Sequence, residues 1–347
     1  GIWNALRRAQ GPPSTSSGTA FDRPRERLIF MASIYILGAG AMGSLWATHL
    51  HLALKDQNQH SVRFISTRTN PSKQISFSLN SAFLLANQSS QQSHFDIDIS
   101  VVKASELKVA TSENPNIILL CTKSYHALGA ILKLKPYLNE HNYLVLFQNG
   151  LGSQYKILEV FPEIPIFAAV STEGVNRQEN GSLIHAGKGL TRIGPLNEKA
   201  KDPAIFEQCV DALTYQGLAT EATKNIWLAL WEKLAINCAI NPFTALLNCS
   251  NGEIIHSDLF KENWPTLKTE LSEMMTAAGF PLSENELEAR VFQVIQNTRK
   301  NISSMLQDVR AKRKTEIEDI NGFAAKYLKD KNLKNSVNTM LYENLMT

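Results

Sequence analysis

Ile34-Tyr-Ile-Leu37-Gly38-Ala-Gly40-Ala-Met-Gly43-Ser-Leu-Trp-Ala-Thr-His-Leu50 is the stretch that decides the fold. An apolar run of strand length ends at a glycine. Two more glycines follow at the G-x-G-x-x-G spacing, and apolar residues then recur at helical intervals. Gly38 permits a tight turn, Gly40 leaves room for a pyrophosphate against the backbone, and Gly43 lets the helix pack close to the strand. Ala41 and Met42 lie in the same turn, where a helix N-terminus offers free N–H groups and a positive dipole end to phosphates. A glycine-rich turn without a ligand is the plain alternative. The strand–turn–helix context favours dinucleotide binding.

Further apolar runs continue the pattern: Val62–Ser66, Ile117–Cys121, Tyr143–Phe147 and Ile166–Val170, with a helix expected over Tyr125–Leu134. Continuous apolar runs suit strands buried on both faces of a parallel sheet, and the βαβ alternation predicts an open, doubly wound α/β sheet of Rossmann type. Ser76–Ser100 is polar and alternating and reads as extra strands or a loop. Ser182–Ile193 reads as an antiparallel hairpin at a sheet edge. From about Asn225 glycine becomes sparse and apolar residues recur at three and four. Helices are expected over Ile226–Leu247, interrupted by Pro242, and over Trp264–Ala278, Glu284–Gln296, Ser304–Tyr327 and Ser336–Met346. The expected division is residues 31–223, a dinucleotide-binding Rossmann domain, and residues 224–347, an all-helical domain. Residues 1–30 carry five arginines and a Pro/Ser/Gly-rich middle. They read as a leader or added upstream sequence ahead of Met31, without order of their own.

Composition narrows the function. The 347 residues are 44% hydrophobic and 19% charged, which suits globular domains. No apolar run nears the roughly 18 residues of a membrane span. Basic and acidic residues number 35 and 32, a balance that gives no reason to expect nucleic acid. The four cysteines form no C-x-x-C pair and have no histidine at ligand spacing, so no metal site is expected. They read as free thiols of a cytoplasmic protein.

Several residues are candidates for chemistry. After the second strand the chain reads Ile65-Ser66-Thr67-Arg68, without the acid that an NAD site uses for the ribose. A guanidinium beside hydroxyls suits a 2′-phosphate, so NADP(H) is the expected cofactor. Lys123 and Asn149 follow later strands on the side where α/β sheets bind ligands; a solvated loop lysine and a plain Asn-Gly turn are the alternatives. Lys233, Asn237 and Asn241 recur at steps of four on one helix face. They can polarise a carbonyl and fix a polar substrate, or be a snorkelling lysine and two amides capping a break at Pro242. Ser304 and Glu316 are substrate-ligand candidates within a run of charges that otherwise reads as a solvated helix face.

The stretches GAGAMGSLW, QNGLG, WEKLAINCAINPFTALLNCSNGE and NISSMLQDVRAKRKTEIEDINGF resemble the ketopantoate reductase (2-dehydropantoate 2-reductase) family, of the 6-phosphogluconate-dehydrogenase-like group, from about Ile34 to Met346. The resemblance implies a Rossmann domain followed by a helical domain, with the active site in the cleft between them. It implies NADPH-dependent reduction of 2-dehydropantoate to (R)-pantoate on the route to pantothenate and coenzyme A. It also implies roles: Lys233 as the catalytic lysine and Glu316 as the active-site glutamate; Asn237, Asn241, Asn251 and Ser304 on the substrate; Gly38, Gly40, Ala41, Met42, Gly43, Arg68, Lys123, Asn149 and Glu316 on the cofactor side. The family's T-x-H-A segment reads Ser171-Thr172-Glu173-Gly174 here, a departure beside the cofactor. A monomer or homodimer with a small keto-acid substrate, and no nucleic-acid or membrane partner, is the expected setting. A related reductase of another 2-oxo acid and a non-catalytic NADPH-binding sensor are the competing readings.

Overall fold

The structure, a computed structural model, describes residues 32–55, 61–84 and 93–346; residues 1–30 lie outside them. Two compact units divide the chain. One holds the described residues up to Thr122, with Leu128–Phe147 and Tyr155–Ile226; the other holds Lys123–Ala127, Gln148–Gln154 and the chain from Trp227 onward. The expected single boundary near residue 223 is therefore too simple. Two short segments from the N-terminal half group with the helical unit.

In the first unit, Ser33–Leu37 (β1), Asn116–Leu120 (β5), Asn142–Leu146 (β6) and Ile166–Ser171 (β7) are buried almost throughout. Val62–Ser66 (β2) and Ser93–Lys103 (β4) complete the parallel set. Their order β4-β2-β1-β5-β6-β7 is the doubly wound Rossmann order. Gln74–Ser81 (β3) pairs antiparallel with β4 over eight residue pairs. The ambiguous polar stretch is thus a hairpin whose second strand belongs to the parallel sheet. Its alternating burial shows why it lacks a continuous apolar run.

The expected hairpin over Ser182–Ile193 is corrected. Leu183–Gly187 (β9) pairs antiparallel with Gly174–Arg177 (β8) and parallel with β3. Thr191–Pro195 (β10) instead pairs antiparallel with β7 and parallel with Thr220–Ala222 (β11). Each run finds its partner elsewhere. The short, half-exposed β8 carries too little apolar pattern to announce itself. Helix α1 (Ala41–Leu54) packs on β1, β2, β4 and β8.

Ser124–Leu132 (α2) and Ser153–Val160 (α3) follow β5 and β6. Pro203–Leu213 (α4) starts at Asp202, whose carboxylate accepts from Ala204 N and Ile205 N, with proline in the first turn.

The helical unit comprises Ile226–Leu247 (α5), Asp258–Ala277 (α6), Glu284–Asn297 (α7), Ser304–Arg310 (α8), Asn321–Asp330 (α9) and Ser336–Leu345 (α10). Helix α7 opens with a capping box between Ser283 and Glu286, worth about 1 kcal/mol. Aromatic rings tie the helices together: Trp231 of α5 packs on Phe323 and Tyr327 of α9, and Phe243 of α5 on Phe260 of α6.

Two sequence expectations fail here. The helix over Ser304–Tyr327 is two helices. Helix α8 ends in a Schellman turn, with Lys312 left-handed (φ 53°), Arg313 N donating to Asp308 O at 2.8 Å and Lys312 N to Val309 O at 3.0 Å. No glycine marks the turn, so the apolar spacing reads straight through it. Conversely, α5 is not interrupted at Pro242 but runs on through it.

Candidate active site

The glycine loop is in the first unit. Gly38 has φ +114°, and a Cβ there would lie 2.7 Å from Thr122 N; one at Gly43 would lie 2.0 Å from Gly38 O. Both glycines are demanded by the protein's own backbone. Gly40 is not: a Cβ there would meet nothing nearer than Cys121 O at 4.0 Å. The space above Gly40 is open, as a bound phosphate requires. No side chain caps α1 at Gly40, so first-turn N–H groups at Ala41, Met42 and Gly43 face a place for an anion. These features fit a dinucleotide.

Arg68 lies just past β2, exposed, with its backbone N–H donating to Ser66 Oγ at 3.2 Å. Among the described residues no protein group takes its guanidinium. Sequence reasoning missed a second arginine, Arg177 on β8, which donates through Nη2 to Ala39 O of the glycine loop at 3.1 Å. Glu173, at the departure from T-x-H-A, turns inward. Its Oε2 accepts from Gly189 N at 2.9 Å and from His185 Nε2 at 2.6 Å, and His185 Nδ1 bonds Ser81 Oγ at 2.8 Å. The glutamate thereby fastens β9 and the turn after it to β3.

In the second unit a buried ionic cluster surrounds Glu316. The carboxylate accepts from Ser124 N at 3.0 Å and Asn149 Nδ2 at 3.2 Å, with Lys123 Nζ at 3.6 Å. Asp308, 2% exposed, accepts from Lys123 Nζ at 2.5 Å and Arg313 Nε at 3.0 Å. The charge run is thus divided: Asp308 and Glu316 are buried, while Arg310, Lys312, Arg313 and Lys314 are exposed. Burial lowers the Lys123 pKa, but Glu316 and Asp308 outweigh it and hold the ammonium above its ordinary value. Gly150 has φ +74°, and a Cβ there would lie 2.1 Å from Asp319 O, which also accepts from Leu151 N at 2.9 Å. The Asn149-Gly150 turn is held against the residues that follow Glu316.

Lys233 is half-buried on α5. Burial lowers its pKa to about 8, opposed by the Glu316 charge. Asn237 and Asn241 follow on the same face. Ser303, not Ser304, caps α8, and its Oγ also bonds Thr244 Oγ1 of α5 at 2.7 Å. Ser304, the next residue, is exposed and begins α8. Asn251 is buried. Its Nδ2 donates to Thr298 Oγ1 at 2.9 Å and its N–H to Asn301 O at 3.0 Å, which holds the segment before α8. Asp308 and Thr244 were missed as site residues. A lone Asp or Thr in a helical pattern gives no signal until its partners are known.

Family models match both halves of the chain: Ketopantoate reductase PanE/ApbA over residues 34–198, and Ketopantoate reductase PanE/ApbA C terminal over residues 225–347.

The chain belongs to the ketopantoate reductase family.

Among curated members of the family, the 2-dehydropantoate 2-reductase of Vibrio cholerae is 30% identical over 318 residues, 91% of this chain and 97% of that protein. The one from Pyrococcus abyssi is 30% identical over 316 residues, 89% of this chain and 95% of that protein. Among solved structures, the dimeric ketopantoate reductase of Staphylococcus aureus superposes with TM-score 0.71 at 21% identity, covering 90% of this chain and 97% of that one. A D-mandelate dehydrogenase in a ternary complex with NADH and anilino(oxo)acetate superposes with TM-score 0.74 at 20% identity, over the same shares. At those identities the superpositions speak to the fold alone. It is the fold described above, an N-terminal α/β unit and a helical C-terminal one. Among the described residues no helix is long and apolar enough to cross a membrane.

Proposed function

We propose that this ketopantoate reductase family member reduces 2-dehydropantoate to (R)-pantoate with NADPH. The observation that carries the reading is the Lys233 ammonium, half-buried on α5 above Asn237 and Asn241 and sensing the Glu316 carboxylate. When bound, NADPH supplies the hydride that the keto carbon takes up.

The chain's own residues do the rest. As the carbonyl oxygen gains negative charge, the Lys233 ammonium stabilises it and hands over a proton. A pKa of about 8 keeps the lysine largely charged at neutral pH, yet makes its proton easier to give than that of an exposed lysine. Glu316 keeps that charge in place and is itself oriented by Ser124 N and Asn149. The amides of Asn237 and Asn241 and the Ser304 hydroxyl are suited to the substrate carboxylate and hydroxyl, turning binding into orientation. Asn251, held by Thr298 Oγ1 and Asn301 O, is a further substrate-side amide. Gly38, Gly40, Ala41, Met42 and Gly43 cradle the pyrophosphate, and Arg68 takes the 2′-phosphate that distinguishes NADPH from NADH. Lys123, held between Asp308 and Glu316, sets the charge balance around the glutamate. The free cysteines fit a cytoplasmic, reducing compartment, and a monomer or homodimer is the assembly we assign.

The test follows NADPH absorbance with purified protein and ketopantoate, with NADH and other 2-oxo acids in parallel. Fast, NADPH-selective oxidation with ketopantoate is expected. Oxidation only with another 2-oxo acid, or NADPH binding without turnover, would overturn the substrate assignment.

A further inference from the structure

A proline inside a helix removes one N–H and collides with the carbonyl four residues earlier. In α5 that carbonyl is Cys238 O, and it lies between Asn237 and Asn241. Left alone, a buried carbonyl without a donor is costly, and the helix would be expected to end or bend there. The helix runs on, and Asn321 Nδ2, at the start of α9, donates to Cys238 O at 3.2 Å.

The donor is aimed by a buried chain of amides. Glu270 on α6, 0% exposed, accepts from Asn338 N at 3.0 Å and Asn338 Nδ2 at 2.8 Å. A carboxylate only accepts, so the Asn338 amide must turn its nitrogen toward Glu270 and its oxygen away. That oxygen accepts from Asn321 Nδ2 at 3.0 Å. Both neighbours of the Asn321 nitrogen are acceptors, which fixes its orientation and spends both of its hydrogens. The charge on Glu270 thus sets the direction of a relay that ends on the one α5 carbonyl that Pro242 strands.

From this geometry we infer that Asn321 is a positioning residue for the reaction. By supplying the hydrogen bond that Pro242 cannot, it sets the offset between Lys233, before the gap, and Asn241, beside it. The inference rests on the reading of Lys233, Asn237 and Asn241 as the keto-acid face.

The experiment is a double-mutant cycle between Asn321→Leu and Pro242→Ala. Alanine at 242 restores an N–H that can bond Cys238 O, so the dependence on Asn321 disappears. In the Pro242 background, N321L is expected to lower kcat on ketopantoate by about tenfold or more while leaving NADPH affinity unchanged. In the P242A background the same change is expected to cost less than about threefold. Native-state hydrogen exchange gives a readout that needs no substrate. N321L should raise exchange in α5 around residues 238–247 and not in α6 or α7, and P242A should restore protection there.

Equal losses in both backgrounds, or exchange raised uniformly across the unit, would overturn the inference. If N321L alone is insoluble, recovery in the P242A background is the expected rescue, and insolubility in both backgrounds counts against it. Should the parent protein fail to reduce ketopantoate, the substrate reading falls while the exchange cycle still decides this one.

Discussion

Asn149 donates through Nδ2 to Glu316 Oε2 at 3.2 Å, joining residues 167 apart in the chain. The same carboxylate accepts from Ser124 N and raises the pKa of Lys233 against the burial that lowers it. Removing the charge while keeping the shape is therefore informative. Glu316→Gln should lower the Lys233 pKa further below its value of about 8, since only the raising influence is lost. A lysine needed in its protonated form gives a reduction rate that falls as pH rises through its pKa. In E316Q that alkaline limb should move to lower pH, as read from kcat against pH. An unmoved limb would show that the limb belongs to another group.

Lys233 itself is expected to be costly to the fold. Lys233→Met should abolish turnover, leave NADPH affinity nearly unchanged, and raise Tm by about 2–4 °C, since an ammonium is no longer held in a site that disfavours it. Thermal melts and fluorescence titration with NADPH read the two effects. Loss of cofactor binding equal to the loss of turnover would refute the assigned role.

Two of the loop glycines, Gly43 and Gly40, should separate by what surrounds them. Gly43→Ala places a Cβ 2.0 Å from Gly38 O and should lower Tm and cofactor affinity together. Gly40→Ala meets only Cys121 O, at 4.0 Å, and should leave Tm within about 1–2 °C of the parent, while weakening NADPH binding about tenfold or more. A G40A protein that binds NADPH normally would show that the phosphates lie elsewhere.

Arg68 should govern the choice of nucleotide. Arg68→Ala is expected to weaken NADPH by roughly 10- to 100-fold and NADH by little, collapsing the preference between them, because a charge-assisted pair to the 2′-phosphate is worth about 1.5–3 kcal/mol. Dissociation constants for both nucleotides decide it. Equal weakening of the two would move Arg68 to the pyrophosphate or to a structural role.

Asp308 bonds Lys123 and Arg313 from an almost fully buried position, whereas Lys123 is 35% exposed. Asp308→Asn should cost about 2 kcal/mol in urea unfolding, less than for a fully buried pair because Lys123 is partly screened. The folded Lys123 pKa is raised, so its contribution is present at neutral pH and lost only as pH rises through that raised value. The penalty of D308N should accordingly be the same at pH 6 and pH 8.

What could be read beforehand follows from how local each signal is. The glycine spacing, the buried strands and the lysine-asparagine helix announce themselves within a few residues, and the structure places them as read, save that the helix continues through Pro242. The hairpin assigned to Ser182–Ile193 failed because register depends on partners that the pattern does not name, β3 for one run and β7 for the other. The helix assigned across 304–327 failed because a lysine, not a glycine, takes the left-handed position at 312. Asp308 and Arg177 were invisible for a third reason: each acquires meaning only from a partner far away in sequence, Lys123 and Ala39 respectively.

The grouping of Lys123–Ala127 and Gln148–Gln154 with the helical unit bears on how the molecule can be made. During synthesis these two segments leave the ribosome well before the partners of Lys123, Ser124 and Asn149, which lie at Asp308 and Glu316. An α/β unit folding first on the nascent chain must hold two short segments in waiting. A fragment cut near residue 224 would carry Asp308 and Glu316 without those partners. The gene therefore has no single seam at which the helical half can be exchanged with that of a relative, and a working chimera needs three matched segments, with five junctions instead of one.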